Sequence, residues 1–188
     1  MSIKLIVGIV GGLLALAGFL PYLRDIRRGT TKPHMFTWLI WRITQTVATG
    51  SMLQKGANFG AITFVVGTVF VWGIFFYTLT AKKENIKKYD WIALSMAIVS
   101  IVVWLGMKNP VGAIILASSI DGIGYIPTIR QSYQAPENET LSTWTTFIVA
   151  DLCCIIALQE YNWGTLTYVS TLTVGNTIIA RILYLRRK

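Results

Sequence analysis

Seven long apolar runs fill most of this 188-residue chain and limit what it can fold into. A helix needs about 20 mostly apolar residues to cross the hydrocarbon core of a bilayer. Such runs cover 3–22, 35–53, 57–80, 90–107, 110–129, 141–159 and 163–185. Because a chain inside lipid must satisfy its own backbone hydrogen bonds, we predict an all-α membrane protein with seven transmembrane helices.

The composition excludes several classes of protein. Hydrophobic residues make up 54% of the chain and charged residues 13%, against about 25% charged in a soluble domain. The chain is therefore unlike a soluble enzyme or a nucleic-acid-binding protein. We expect it to lie in a lipid bilayer and to bind no nucleic acid. With one histidine and two adjacent cysteines, we also predict no metal and no cofactor.

The basic residues indicate an orientation. With the N-terminus outside, the predicted inner loops and ends hold twelve lysines and arginines and the outer ones hold three. An excess of lysine and arginine marks cytoplasmic loops. We therefore expect an outside N-terminus and a cytoplasmic C-terminus, in the cell membrane.

The chain repeats itself at an offset of 106 residues. Between 18–38 and 124–144, five of 21 positions are identical, and they include Pro21 with Pro127 and Trp38 with Trp144. Further along, the tripeptide at 66–68 resembles that at 174–176. The first three predicted helices therefore resemble the last three, and the fourth stands alone.

The lone helix has a topological reason. Three crossings leave the chain on the opposite side of the bilayer, so one more crossing lets the second copy run parallel to the first. We predict a repeat over 1–80, a linker with helix 4 over 81–107, and a second repeat over 108–188. Transporters with repeats of this kind bind their substrate near the midplane, at the interface between the repeats.

This 3+1+3 pattern resembles the SWEET and PQ-loop superfamily, through the two prolines, the basic loop after each, and the tryptophan that follows. The resemblance implies a small-molecule transporter that works by alternating access, with a sugar as the usual solute. It also implies homo-oligomers, since SWEET relatives often form trimers. The Pro-Gln pair of the PQ-loop group reads here as Pro21-Tyr22 and Pro127-Thr128.

Two aspartates stand in apolar runs, Asp121 and Asp151, at similar predicted depth. An intramembrane carboxylate is costly, so it normally faces a cavity or a partner. Arg42 lies about one turn from Gln45, which is the repeat counterpart of Asp151. One interpretation is a structural ion pair between Arg42 and an aspartate. The other is a proton or substrate site.

Three further pairs are candidates for function. Asn176 and its counterpart Thr68 suit either substrate binding, as the resemblance implies for an asparagine in helix 7, or an interhelical hydrogen bond. Trp38 and Trp144 suit either interfacial anchoring or stacking on a ligand. Pro21 and Pro127 suit either a hinge, as the resemblance implies, or a helix end.

These observations favour a transporter or facilitator of small polar solutes. A sugar, an amino acid, another polar metabolite and a vitamin-like solute, as carried by nicotinamide-riboside carriers, all stay open. The alternative is a receptor or sorting protein of the same architecture, as in KDEL receptors. A retinal photoreceptor would need a lysine in the last helix, and 163–185 has none.

Overall fold

The chain is all-helical in the computed structural model, which describes residues 2–31, 35–79, 88–106 and 109–187. No strand occurs within these ranges. Their seven α-helices are α1 (Ile3–Arg27), α2 (Met35–Gln54), α3 (Ala61–Thr78), α4 (Lys88–Gly106), α5 (Pro110–Gln134), α6 (Leu141–Ala157) and α7 (Trp163–Arg186). Short 3₁₀ turns at Asn58–Gly60 and Pro136–Asn138 precede α3 and α6.

Several of these helices have the length and composition of membrane spans. Among the described residues, four helical segments are long and apolar enough to cross a bilayer: Ile3–Arg27, Asn58–Tyr77, Pro110–Gln134 and Trp163–Arg186. Leu94–Gly106 and Leu141–Ala157 are shorter apolar helices. By length and composition, these helices indicate an integral membrane protein.

The outer surface of the helices is apolar, as lipid contact requires. Leu13, Val69, Val102, Ile126 and Val174 are all more than half exposed, although each lies within a helix. A soluble protein rarely exposes apolar residues over so much of its surface. The acidic residues Asp121 and Asp151 are buried instead.

The helices pack in a pattern that is the same in both halves of the chain. Helix α3 packs against α1 and α2, and α7 packs in the same way against α5 and α6. Between the halves, α1 packs against α6 and α2 packs against α5. Helix α4 contacts α2 and α5.

Aromatic contacts between the halves also occur in pairs. Phe19 of α1 meets Phe147 of α6 with ring centroids 4.7 Å apart. Tyr125 of α5 meets Trp41 of α2 at 5.1 Å. Each member of the second pair lies 106 positions from a member of the first, which is the offset of the sequence repeat.

Glycines make these two contacts possible. A Cβ on Gly18 would stand 2.7 Å from the ring of Phe147, and a Cβ on Gly124 would stand 2.8 Å from Nε1 of Trp41. Both distances are too short for a side chain. Gly18 and Gly124 are identical positions of the repeat, so they serve the same packing purpose in each half.

Polar contacts join the two halves at both ends of the bundle. At the end where α1 finishes, the hydroxyls of Thr31 and Thr140 are 3.1 Å apart and share a hydrogen bond. At the opposite end, the Lys4 ammonium donates to the Leu158 carbonyl at 2.5 Å. Asn162, which caps α7, also donates to the carbonyl of Lys55 at 3.3 Å.

The predicted runs agree with the observed helix starts within two residues, except that α3 begins at Ala61 and not at 57, and they fall short at two ends. Helices α1 and α5 continue to Arg27 and Gln134, five residues beyond the apolar runs that predict them. Position 21 therefore lies inside α1 and position 127 inside α5. The interpretation of these prolines as helix ends is wrong, and their role as hinges stays a prediction.

Some sequence-based predictions concern residues outside those that the structure describes. They include part of the predicted inner basic charge, at Lys32, Lys82, Lys83, Lys87 and Lys188, and the outer Lys108. The side chain of Pro127 is also outside the described set.

Candidate functional site

A cavity of about 70 Å³ lies between α1–α3 on one side and α5–α7 on the other. A buried water needs roughly 10–15 Å³ measured in this way, so the cavity has room for several waters or for a compact solute. Six of the eight predicted site residues line it: Trp38, Gln45, Asp121, Trp144, Asp151 and Asn176.

Aromatic rings form much of the cavity wall. Trp41 contacts Trp38 at 5.5 Å, Tyr125 at 5.1 Å and Trp144 at 6.4 Å between ring centroids. Trp38 and Trp144 are 5% and 3% exposed, so neither lies on the lipid-facing surface. Interfacial anchoring is therefore the wrong interpretation for both, and the cavity-lining alternative agrees with their positions.

Asp121 of α5 is held by two hydroxyl groups from other helices. Thr44 of α2 donates to one of its carboxylate oxygens, and Tyr168 of α7 donates to the other at 2.5 Å. The carboxylate is 1% exposed. Both of its oxygens are thus engaged, and Asp121 joins three helices at the side of the cavity.

Asp151 of α6 belongs to a different chain of hydrogen bonds. The amide of Asn176 donates to Oδ2 of Asp151 at 2.9 Å, and the hydroxyl of Tyr125 donates to Oδ1 of Asn176 at 2.9 Å. Within the described part of the chain, no hydrogen bond reaches the second oxygen of Asp151. This carboxylate therefore keeps capacity for another donor.

Arg42 does not pair with either aspartate. Its guanidinium lies 3.5 Å from the ring centroid of Phe75 and 4.3 Å from that of Trp72, both on α3. It is absent from the cavity wall. The predicted ion pair is therefore wrong, because the side chain turns toward α3 and makes cation–π contacts instead.

Thr68 also lies outside the cavity, unlike its counterpart Asn176. Its hydroxyl is 3.1 Å from that of Thr49 on α2 and donates to the carbonyl of Phe64 at 2.7 Å. This is the interhelical hydrogen bond that was the alternative interpretation. The prediction of a ligand-binding role for Thr68 has no geometric basis in this arrangement.

Three buried polar atoms in the cavity wall have no hydrogen-bond partner among the described residues. They are Nε1 of Trp41 and the hydroxyl oxygens of Thr63 and Thr143. An unpaired buried polar group costs about 1–3 kcal/mol. Their residues line the cavity, but the atoms themselves expose almost no surface to it: Nε1 of Trp41 packs against Gly124 and the Thr63 hydroxyl packs against Gly11.

The charge in the cavity comes from one half of the chain only. At the repeat offset, Asp121 corresponds to Ala15 and Asp151 corresponds to Gln45, and all four residues line the cavity. The packing is thus nearly symmetric, but the electrostatics are not. Across the described residues, no group of three or more histidines, cysteines or acidic residues is arranged to hold a metal.

A second polar cluster lies at the end of the bundle where α6 begins. Nε1 of Trp144 donates to Oε2 of Glu139 at 3.2 Å, and Arg187 donates to the backbone carbonyls of Glu139 and Pro136. Burial raises the pKa of Glu139 to about 7, although the Trp144 hydrogen bond and the Arg187 charge oppose the shift. Trp144, a residue of the cavity wall, is therefore hydrogen-bonded to a carboxyl group whose pKa is about 7.

Replacing Glu139 by glutamine is expected to flatten the pH dependence of stability. The native state holds the proton up to about pH 7, whereas the ordinary value for the unfolded chain is 4.5. Between these values the native state binds more protons than the unfolded state, so stability falls as pH rises. The loss is at most roughly 3 kcal/mol.

Thermal unfolding in detergent across this pH range measures the effect. The melting temperature of wild type should fall relative to that of Glu139→Gln as pH rises. Parallel curves for the two proteins would contradict the shifted titration. Glu137→Gln changes an exposed acid two residues earlier, in the 3₁₀ turn Pro136–Asn138, and is the matched control.

Some residues of the site have no signal in the sequence. Thr44 and Tyr168 hold Asp121, yet each is one of many hydroxyl residues in the apolar runs. Tyr125 is different, because the repeat places an aromatic residue, Phe19, at the equivalent position. That shared aromatic character was the available signal for the cavity wall.

Comparison of the chain with family models, with curated proteins and with solved structures yields no match.

Proposed function

We propose that the protein is a membrane transporter of small polar solutes that works by alternating access. In this proposal all seven helices cross the bilayer, as two parallel three-helix units, 1–80 and 108–188, joined by a linker and α4. The N-terminus lies outside and the C-terminus in the cytoplasm of a cell that carries the protein in its plasma membrane. The arrangement is the one that the SWEET-like resemblance implies.

The paired packing of the two halves supports this architecture. Helices α1, α3 and α2 meet in the same order as α5, α7 and α6, and the contacts between halves are α1 with α6 and α2 with α5. A two-fold relation between the halves exchanges each of these contacts with its partner. Such a relation gives two units that can rock against each other about a site between them.

The single observation that carries the proposal is the cavity between the units. The polar groups of its largely aromatic wall include Gln45 from the first unit and Asp121, Asp151 and Asn176 from the second. Acidic and amide groups are costly to bury inside a bundle of apolar-surfaced helices. Binding of a polar solute explains why these groups are there.

A proton linkage is part of the proposal. A carboxylate without a cationic partner inside a membrane protein is well suited to reversible protonation. One carboxylate oxygen of Asp151 accepts no hydrogen bond from the described residues. The other accepts from Asn176, which in turn accepts from Tyr125. Protonation there would change the charge of the cavity as the solute enters or leaves.

Solute counterflow in proteoliposomes tests transport. Vesicles are loaded with unlabelled glucose, alanine, choline or succinate, and uptake of the same labelled solute is followed with and without a pH gradient. We expect exchange of one solute class, and a dependence of its rate on the gradient. Binding of a solute without any exchange would contradict transport and favour a receptor.

Asn176→Ala is expected to reduce the exchange rate by about tenfold or more, because it removes a cavity amide that bridges Asp151 and Tyr125. Thr177→Ala is the matched control, since Thr177 is the adjacent residue and is exposed on the outer face of α7. Equal rates in the two variants would contradict a functional role for the cavity.

A further inference from the structure

We infer that the cavity binds a compact organic cation, such as an alkylammonium ion. This inference rests on the proposed function, since it names the substrate class of the same cavity. It depends on three features of the described residues: acidic side chains without a cationic partner, one carboxylate oxygen that accepts no hydrogen bond, and the aromatic wall.

The cavity carries acidic side chains without a cationic partner. Among the described residues, the one ion pair joins Arg24 and Asp25. It lies at the end of α1, and neither residue lines the cavity. Arg42 is stacked on α3. A bound cation would therefore supply the missing counter-charge, which an uncharged solute does not do.

The two aspartates differ in their capacity for a ligand. Both oxygens of Asp121 accept hydroxyl hydrogen bonds, so this carboxylate serves the packing of α5 against α2 and α7. Asp151 accepts one, from Asn176, at a single oxygen. The ligand's cationic group is therefore assigned to Asp151.

The aromatic wall suits the apolar body of such a cation. Tyr125 and Trp144 each lie within 6.4 Å of Trp41, centroid to centroid, and all three line the cavity with Asp151. Ring faces attract alkylammonium groups through their quadrupoles, and the attraction grows when water is excluded.

A pair of isosteric probes separates charge from shape. Choline and 3,3-dimethyl-1-butanol have the same heavy-atom skeleton and differ in replacing the quaternary nitrogen by carbon. Their binding to the full-length protein in detergent is measured by thermal shift and by tryptophan fluorescence. We expect choline to bind at least tenfold more tightly than the neutral alcohol. Equal binding of the two, or no binding of choline, would overturn the inference.

The repeat provides a sharper test through an exchange of side chains between the halves. Asp151→Gln should weaken choline binding by at least about tenfold. The double variant Asp151→Gln with Gln45→Asp moves the charge to the equivalent position of the same cavity, and it should regain binding. Glu137→Gln should bind choline as wild type does. Choline binding that is unchanged in Asp151→Gln would overturn the assignment.

The two proposals fail in different ways. Choline binding without counterflow would contradict transport and leave the cation site standing. Counterflow of glucose or another neutral solute, with no preference for choline over its isostere, would overturn the cation site and leave transport standing. If Asp151→Gln does not fold, the comparison of choline with 3,3-dimethyl-1-butanol on the wild-type protein still tests the cation site.

Discussion

Replacing Gly175 by alanine is expected to destabilise the protein by about 1–3 kcal/mol and to abolish solute exchange. A Cβ at this position would stand 2.6 Å from the ring of Tyr125, which lies directly over the glycine. The ring cannot simply turn away, because its hydroxyl is bonded to Asn176 and its face packs on Trp41. The substitution therefore displaces a wall of the cavity.

Two glycines of α3, Gly67 and Gly73, provide the comparison. A Cβ on Gly67, the repeat counterpart of Gly175, would meet only the amide nitrogen of Gln45, the far end of a flexible side chain. We expect a smaller loss there. A Cβ on Gly73 meets no atom within 4 Å, so Gly73→Ala should gain up to about 1 kcal/mol from helix propensity.

For all three variants, stability is measured by thermal unfolding in detergent. The exchange rate is measured by counterflow of the solute that the wild type exchanges. The expected order of stability is Gly73→Ala, then Gly67→Ala, then Gly175→Ala. Full stability and exchange in Gly175→Ala would show that Tyr125 does not hold the cavity wall.

A disulfide between positions 31 and 140 is expected to stop exchange and to release it again on reduction. The hydroxyls of Thr31 and Thr140 are 3.1 Å apart at the junction of the two units, so cysteine side chains at these positions would lie close together. If the units rock against each other, a covalent bond there keeps this end closed. Exchange should fall to the background rate.

The experiment uses Thr31→Cys with Thr140→Cys in a chain whose natural Cys153 and Cys154 are replaced by alanine. Bond formation is followed by titrating free thiols with a maleimide that shifts gel mobility. The reduced double variant, and each single variant under oxidation, are the controls. Undiminished exchange at complete cross-linking would mean that this end of the bundle does not open.

Hydropathy predicted the positions of the helices well because lipid contact imposes a simple rule on composition. It missed the last five residues of α1 and of α5, which include Arg24, Arg27 and Arg130. Backbone hydrogen bonding continues a helix beyond the apolar stretch and into the interfacial region. An apolar run therefore marks the shortest extent of a helix, not its end.

The repeat predicted the cavity better than it predicted individual roles. Asp121 and Asp151 were placed at a similar depth, and both line the same cavity. Depth alone did not give the direction in which a side chain points around its helix, so Arg42 was expected near the acids although it faces α3. The direction in which a side chain points around its helix axis depends on how the helices pack, and a single sequence does not give that packing.

The partners of the acids were unpredictable for a related reason. Threonine and tyrosine occur throughout the apolar runs, and only the folded chain shows that Thr44 and Tyr168 converge on Asp121. Symmetry was no guide either, since the equivalent of Asp121 is Ala15. The helices of the first half pack as those of the second half do, but the first half has no acidic residues at the equivalent positions.

Thiol accessibility at position 143 tests the central proposal most directly. Thr143→Cys is made in the chain without Cys153 and Cys154, and a small membrane-impermeant thiol reagent is applied to one face of the membrane or the other. Val149→Cys, at a residue that is 48% exposed on the outer surface of α6, is the control. A cavity that opens alternately predicts labelling of position 143 from both faces and none at position 149. Labelling of position 143 from one face only, or from neither, would contradict alternating access.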